Sequence, residues 1–235
     1  MPTLYTYCIR YDNGAAPNPY WGICTLVICK PQIRRAAQVG DWIVGTGSRS
    51  SPLGDISGQV VYAMKVTKKM TMAEYDSFTI DQLPQEIPDW GGSDYRRRIG
   101  DSIYDFSVDP PAQRRGIHTE DRRERDLGGH FALLSDHYVY FGDQPKRLPE
   151  HLLPIVRHGQ GHRSRANDPY LDDFVDWIAG LGCPSNMLDG QPQQLHRPSF
   201  ARWCGIDGRG NRRSTCEPAV IARVGKCLTA ERAQC

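Results

Sequence analysis

Residues 39–51 read VGDWIVGTGSRSS. Gly40-Asp41 is a turn-forming pair. Trp42-Ile43-Val44 is a short apolar run that reads as a strand over 41–47, and it passes directly into Gly45-Thr46-Gly47-Ser48. Such a strand is either scaffold, or it delivers small polar groups to a ligand. Immediately before it, PQIRRAAQ (31–38) reads as a short helix. Pro31 fits the first helical turn, where its missing N–H is not needed, and Gly40 ends the helix as a C′ residue does. LYTYCIRYD (4–12) is aromatic and β-branched, and reads as a strand. NGAAPNPYWG (13–22) is a turn-rich loop, and ICTLVICK (23–30) fits either a strand or a buried helix.

Downstream, GQVVYAMKVTKKM (58–70) is one longer strand, with Val60, Tyr62, Met64 and Val66 in alternation. TMAEYDSF (71–78) is helical, Thr71 and Glu74 forming a capping box. SIYDFSV (102–108) reads as a strand. The charged connection 110–129 has a length that points to function or disorder. HFALLSDHYVYFG (130–142) is two short strands or one kinked strand, and LPEHLLPIV (148–156) is a short helix. DPYLDDFVDWIAGLG (168–182) has helical apolar spacing, with Asp168 as N-cap and Pro169 at N1. Strands 4–12, 41–47 and 58–67 are expected in one sheet with the 31–38 helix packed on it. The fold class is α+β: a small mixed β-barrel-like sheet with flanking short helices.

With 235 residues, 39% hydrophobic and 24% charged, the chain has ordinary globular composition. No apolar run is long enough to cross a membrane. The first residues lack a secretion signal, so a cytoplasmic location is expected. In that reducing compartment the eight cysteines are expected as free thiols. Cys204, Cys216 and Cys227 have poor zinc-finger spacing, and no metal is expected. Residues 196–235 carry eight Lys/Arg against three Asp/Glu, and the remainder 21 against 24. The basic end is either a solvated tail or a phosphate-binding one.

Recognisable reaction motifs are missing. Gly45-Thr46-Gly47-Ser48 is not followed by a P-loop lysine, and no G-x-S-x-G elbow occurs. His158 and His162, in RHGQGHRSR, are separated by two glycines, which suits a loop that holds an anion better than a metal pair. No cofactor is expected and no catalytic residue is assigned. Cys–His pairs have no distinguishing signal. The aromatics Tyr20, Trp21, Trp42, Tyr62, Tyr104 and Phe141 fall near strand ends or in loops, which is how proteins wall an unstacked base.

The string YDNGAAPNPYWGICTLVICKPQIRRAAQVGDWIVGTGS (11–48) resembles the opening of the nucleotide modification associated domain family, type 2. GDSIYD (100–105), HFALLSDHYVYFG (130–142) and HGQGHRS (158–164) resemble later parts of that family's pattern. The resemblance covers about residues 1–165. It implies association with systems of phages and bacteria that modify DNA bases. More loosely, the opening is similar to PUA-like and EVE-like domains, in which a Gly-Asp turn precedes a strand whose end lines a modified-base pocket. That similarity places Thr46 and Ser48 at the pocket.

These readings divide the chain into a PUA-like domain, 1–165, and a helical and basic C-terminal extension, 166–235. The expected function is binding of a modified nucleobase or nucleotide. The alternative is an enzyme acting on a nucleotide or modified base. Asn18, Trp42, Thr46, Ser48 and Tyr104 are the candidate ligand-binding residues, and Arg34, Arg157 and Arg163 the candidate phosphate-binding ones. The expected partners are a nucleotide or nucleic acid, base-modified DNA included, and other components of a DNA-modification system, with no membrane.

Overall fold

The computed structural model describes residues 1–194. In chain order the first half holds β1 (Leu4–Cys8), β2 (Cys24–Leu26), α1 (Pro31–Ala36), β3 (Trp42–Thr46), β4 (Gln59–Lys65), β5 (Lys68–Thr71), α2 (Met72–Asp81) and α3 (Tyr95–Arg98). There follow β6 (Tyr104–Asp105), β7 (Ala112–Gln113), α4 (Arg123–Leu127), β8 (Phe131–Ser135) and β9 (His137–Tyr140). Last come β10 (Lys146–Arg147), β11 (His162–Arg163), α5 (Leu171–Gly180) and β12 (Met187–Leu188).

The main sheet has the order β11-β1-β3-β4-β9-β12, with β10 also paired to β4. The β1–β3 and β9–β12 pairings are parallel, and β3–β4 and β4–β9 are antiparallel. A second sheet runs β2-β8-β5, and β6 pairs with β7. Strands 4–8, 42–46 and 59–65 thus share one sheet as expected. The closure into a barrel does not occur: the main sheet ends at β11 on one side and β12 on the other, and no sheet among the described residues closes. The architecture is mixed α+β with open sheets and short helices.

The single strand expected over 58–70 is instead two. Val66 still donates to the Asp41 carbonyl, but Thr67 donates to Leu134, so the chain crosses from the main sheet to the second one. The 130–142 stretch crosses at the same corner, β8 lying in the second sheet and β9 in the main one. Ser135 Oγ ties the corner, donating to the Lys65 carbonyl at 2.5 Å, and the Asp136 amide donates to Thr67 Oγ1 at 3.1 Å.

Side-chain alternation along β3 then sorts the core. Ile43 faces Tyr5, Tyr7, Met64 and Tyr138, joined by Ile33 and Ala37 at α1 and by Leu26 and Leu133 of the second sheet. Trp42 and Val44 face the other way, onto Leu4, Ala63, Val139, Phe174 and Ile178. α5 therefore covers the outer face of the main sheet. The far face of the second sheet packs against α2 through Met70, Tyr75, Ala132 and Leu134. The Thr71 capping box forms as read, Glu74 donating its amide to Thr71 Oγ1 and accepting the Thr71 amide in return.

Three local expectations change. Only Tyr104–Asp105 of 102–108 is strand. Residues 148–156 give a 3₁₀ turn, Glu150–Ile155, rather than an α-helix. Asp168 and Pro169 do not start α5. They lie in a 3₁₀ turn, Arg165–Tyr170, and the helix begins at Leu171. The tight turn is pinned by buried Asn167, whose Nδ2 donates to the Leu4 carbonyl and to Thr6 Oγ1, both at 3.0 Å. No helix among the described residues is long and apolar enough to cross a membrane. Cys8, Cys24 and Cys29 are free thiols. Cys183 is disulfide-bonded, so the expectation of eight free thiols, which rested on compartment alone, fails at that residue. The basic stretch 196–235 lies outside the described residues.

Candidate functional site

Between β2 and α1 the chain turns sharply at Cys29 and Lys30, whose φ angles are 62° and 42°. Both are left-handed, which costs an L-residue roughly 1–2 kcal/mol. The turn persists because the Cys29 backbone is held at both polar atoms. Its amide donates to Asp126 Oδ1 at 3.0 Å, and its carbonyl accepts from Arg34 Nε at 2.8 Å. A side chain on a strained strand-to-helix turn is pushed out of the packed layer, the placement that exposes a nucleophile.

His118 meets Cys29 there. Its Nε2 lies 3.6 Å from Cys29 Sγ, and its Nδ1 lies 2.6 Å from Asp126 Oδ2. Asp126 sits in α4 with its side chain fully buried, and Tyr104 in β6 donates its hydroxyl to the same Oδ2 at 3.2 Å. The carboxylate thus fixes the imidazole orientation, and the imidazole faces the sulfur. Burial alone would lower the His118 pKa, but the hydrogen bonds to Asp126 and Cys29 outweigh it and carry the pKa up to about 9. At neutral pH the imidazolium form prevails.

The donor atoms of these three side chains lie within 4.8 Å of one another, near enough in principle to share an ion. Ligands of a tetrahedral metal stand about 3.4 Å apart when the metal–ligand bonds are near 2.0–2.1 Å. Here the His118 ring stands between the sulfur and the carboxylate, with one nitrogen turned to each. That leaves Cys29 and a single His118 nitrogen for an ion, and Asp126 as the group that orients the ring.

Two cavities meet at this point. One of about 800 Å³ is lined by Cys29, Tyr7, Arg10, Lys30, Arg125 and the 159–162 loop among others, and one of about 360 Å³ by Cys29, His118, Arg122 and Arg125. Cys29 and Arg125 line both.

The residues singled out in the sequence divide around this centre. Tyr104 touches Asp126. Arg34 is fully buried beside it, and its guanidinium is spent on backbone: on the Cys29 carbonyl, the Phe131 carbonyl at 2.9 Å and the Asp126 carbonyl. Asn18, Trp42, Thr46 and Ser48 are all buried, and none of them lines the groove. Asn18 Nδ2 donates to Glu86 Oε2 at 2.7 Å, and Thr46 Oγ1 to the Tyr7 carbonyl at 3.3 Å. Trp42 packs edge-on against Phe174, and Ser48 Oγ accepts the Ser50 amide at 3.1 Å. Gly45 and Gly47 are required by close approach. A Cβ on Gly45 would run into Ile9 and Tyr62, and one on Gly47 into Ile56. Arg157 donates to the Gln160 carbonyl and Arg163 to Asn167 Oδ1. Arg157 thereby shapes the 159–161 loop, whose residues do reach the groove.

Cys29, His118 and Asp126 carry no motif that marks them in the sequence. Two signals were there: an apolar run ending in Cys-Lys just before a Pro-started helix, and a histidine and an aspartate inside the long irregular connection 110–129.

Fold and site together describe an α+β protein whose thiol, imidazole and carboxylate stand in series at the rim of a groove. The chain belongs to the nucleotide modification associated domain 2 family, whose model matches residues 1–198. No curated protein and no solved structure matches the chain.

Proposed function

We propose that this protein is an enzyme of nucleotide or nucleobase modification that works through a covalent bond to Cys29. Cys29 is the nucleophile, His118 the general acid–base group, and Asp126 the residue that positions the imidazole. The observation that carries the reading is the series Sγ–Nε2 at 3.6 Å and Nδ1–Oδ2 at 2.6 Å, set on a strained turn at a cavity wall. An imidazole that faces a sulfur and is oriented by a carboxylate is the arrangement that activates a thiol nucleophile.

In the first step the Cys29 sulfur pair forms an S–C bond with an electrophilic carbon of the substrate. The bond from that carbon to its leaving group breaks, and His118 Nε2 gives the leaving group its proton. Water then gives a proton to His118, its oxygen bonds to the carbon, and the S–C bond breaks to return the thiolate. The family description points to nucleotide modification, and on this reading the substrate is a nucleotide, free or within base-modified DNA, in a system whose other components are the partner proteins. This reading departs from binding alone because a binding wall needs no proton-transfer series. On it Trp42, Thr46, Ser48 and Asn18 are framework.

Competitive alkylation tests the reading. Cys8 lines the same groove and is the internal control. With limiting iodoacetamide and peptide mapping, Cys29 is expected to be labelled well before Cys8, and His118→Asn to erase the difference. Equal labelling in the wild type would overturn it.

A further inference from the structure

The groove of about 800 Å³ that reaches Cys29 contains Arg10, Lys30, Arg35 and Arg125 in its lining, and no aspartate or glutamate. None of the four is in an ion pair among the described residues. Cations gathered on one concave wall repel one another, and low-dielectric walls focus their field. A surface with no function to serve intersperses the two signs. His162, which also lines the groove, records that field: burial first, then the charges of Lys30 and Arg157, hold its pKa below the usual histidine value.

Three further features bear on the occupant. Lys30 Nζ stands 4.1 Å from the centre of the Tyr7 ring, which fixes the ammonium in the groove beside Cys29. Gly159 and Gly161, at φ 84° and 93°, can contribute only backbone to the groove lining, and exposed glycine backbone offers N–H groups to an anion. Tyr11 stands 52% exposed at the rim, an aromatic face on which a base can stack.

We propose that this groove is a phosphate-binding site that seats a nucleotide by its phosphate ester, with Lys30 and Arg125 as the specificity-determining residues. The placement of the reacting carbon at Cys29 rests on the nucleophile reading above, whereas the phosphate site itself does not. The shared chemistry is the phosphate ester, and its source is either a free nucleotide or a DNA strand.

The experiment uses full-length Cys29→Ser protein, so that binding is read without reaction. Calorimetric titration is run with 2′-deoxynucleosides, their 5′-monophosphates, inorganic phosphate and a short single-stranded oligonucleotide. Monophosphates are expected to bind and the nucleosides not to. Lys30→Met is expected to weaken monophosphate binding about tenfold or more, through loss of one charge-assisted contact. Arg125→Met, at an exposed position, repeats the test where folding is not at risk. An oligonucleotide that binds more tightly than the monophosphate assigns the phosphate to DNA, and the reverse order assigns it to a free nucleotide. Nucleosides binding as tightly as monophosphates, no phosphate-bearing probe binding, or both variants binding like the parent would overturn the proposal. A companion measurement in Cys29 protein keeps the two readings apart. Iodoacetate should gain on neutral iodoacetamide at low salt and lose the gain at high salt. If monophosphates bind but Cys29 is no more reactive than Cys8, the phosphate site stands and the nucleophile reading falls.

Discussion

Arg34 donates its Nε hydrogen to the backbone carbonyl of Cys29 at 2.8 Å, with the whole arginine side chain out of contact with solvent. Its other nitrogens reach the carbonyls of Phe131 and Asp126. One guanidinium therefore joins the Cys29 turn, the end of α4 and the start of β8. Burial lowers its pKa to about 10, against the pull of Asp126, so it stays charged at neutral pH.

Arg34→Lys should damage both stability and the site. A single ammonium cannot satisfy three carbonyls in a fixed fork, and buried acceptors left unpaired cost about 1–3 kcal/mol each. We expect a loss of about 2–4 kcal/mol in the urea unfolding free energy and slower alkylation of Cys29 under native conditions. A variant with the parent midpoint and parent reactivity would show that the turn does not depend on the clamp.

Gly47→Ala should destabilise the protein without a ligand being involved. The new Cβ would collide with the Ile56 side chain and its carbonyl, and backbone cannot step aside as a flexible side chain does. Overpacking of this kind costs roughly 1–3 kcal/mol. Thermal melting should fall accordingly, with nucleotide affinity unchanged in the protein that remains folded. Loss of affinity with full stability would return the 45–48 segment to the ligand pocket.

Much of the frame was legible because it depends on local chemistry. Pro31 marked the start of α1, Thr71 and Glu74 fixed the start of α2, and the apolar alternation at 59–65 marked the central strand. The end of α1 was misplaced, because the helix stops at Ala36 with Ala37 as its cap, and Gly40 instead donates its amide to the Val66 carbonyl. The sheet-switching corner was not legible. A strand that runs on into another sheet keeps its alternation, and only the pairing of Thr67 with Leu134 distinguishes 59–65 from 68–71. The site was less legible still. His118 is 89 residues from Cys29 and enters hydrogen-bond range only through tertiary folding. Arginine 34 suggested phosphate by its type, and nothing in its neighbours announces that α1 points it inward.

Glu86, Asp101 and Asp12 should each contribute less to stability as pH rises from acid toward neutral. This is the reverse of the carboxylates Asp55, Glu74, Asp105 and Asp121, whose pKa values are lowered by their hydrogen bonds. Burial pushes Glu86 well above its usual range and carries Asp101 up to about 6, against hydrogen bonds from Thr25 and Tyr75. Burial also carries Asp12 up to about 6, against the hydrogen bond from Tyr140. These folded-state pKa values exceed the unfolded ones, near 4. The native state therefore holds protons that the unfolded chain has already released. The favourable contribution is complete below about pH 4 and shrinks as pH rises through about 6. Glu86→Gln keeps an acceptor for Asn18 Nδ2 and cannot ionise, so it should flatten this slope and be more stable than the parent at pH 8. Parallel pH–stability curves for the two proteins would refute the assignment.

Tyr104→Phe should leave Cys29 reactive but slower to alkylate. It removes one donor to Asp126 Oδ2 and keeps the His118 and Cys29 amide contacts to that carboxylate. A neutral hydrogen bond contributes about 0.5–1.5 kcal/mol, whereas loss of a general acid–base group costs about 10²–10⁴-fold in rate. Cys29 reactivity should therefore order as parent, then Tyr104→Phe, then His118→Asn. An inverted order would make the tyrosine, not the histidine, the group coupled to the sulfur.

The pH dependence of Cys29 alkylation, measured residue by residue in the parent and in His118→Asn, tests the thiol–imidazole series most directly. The parent should show a step in rate at about pH 9, where His118 gives up its proton. His118→Asn should lack that step and react more slowly at neutral pH. Superimposable profiles would contradict the series and remove the basis for catalysis at Cys29.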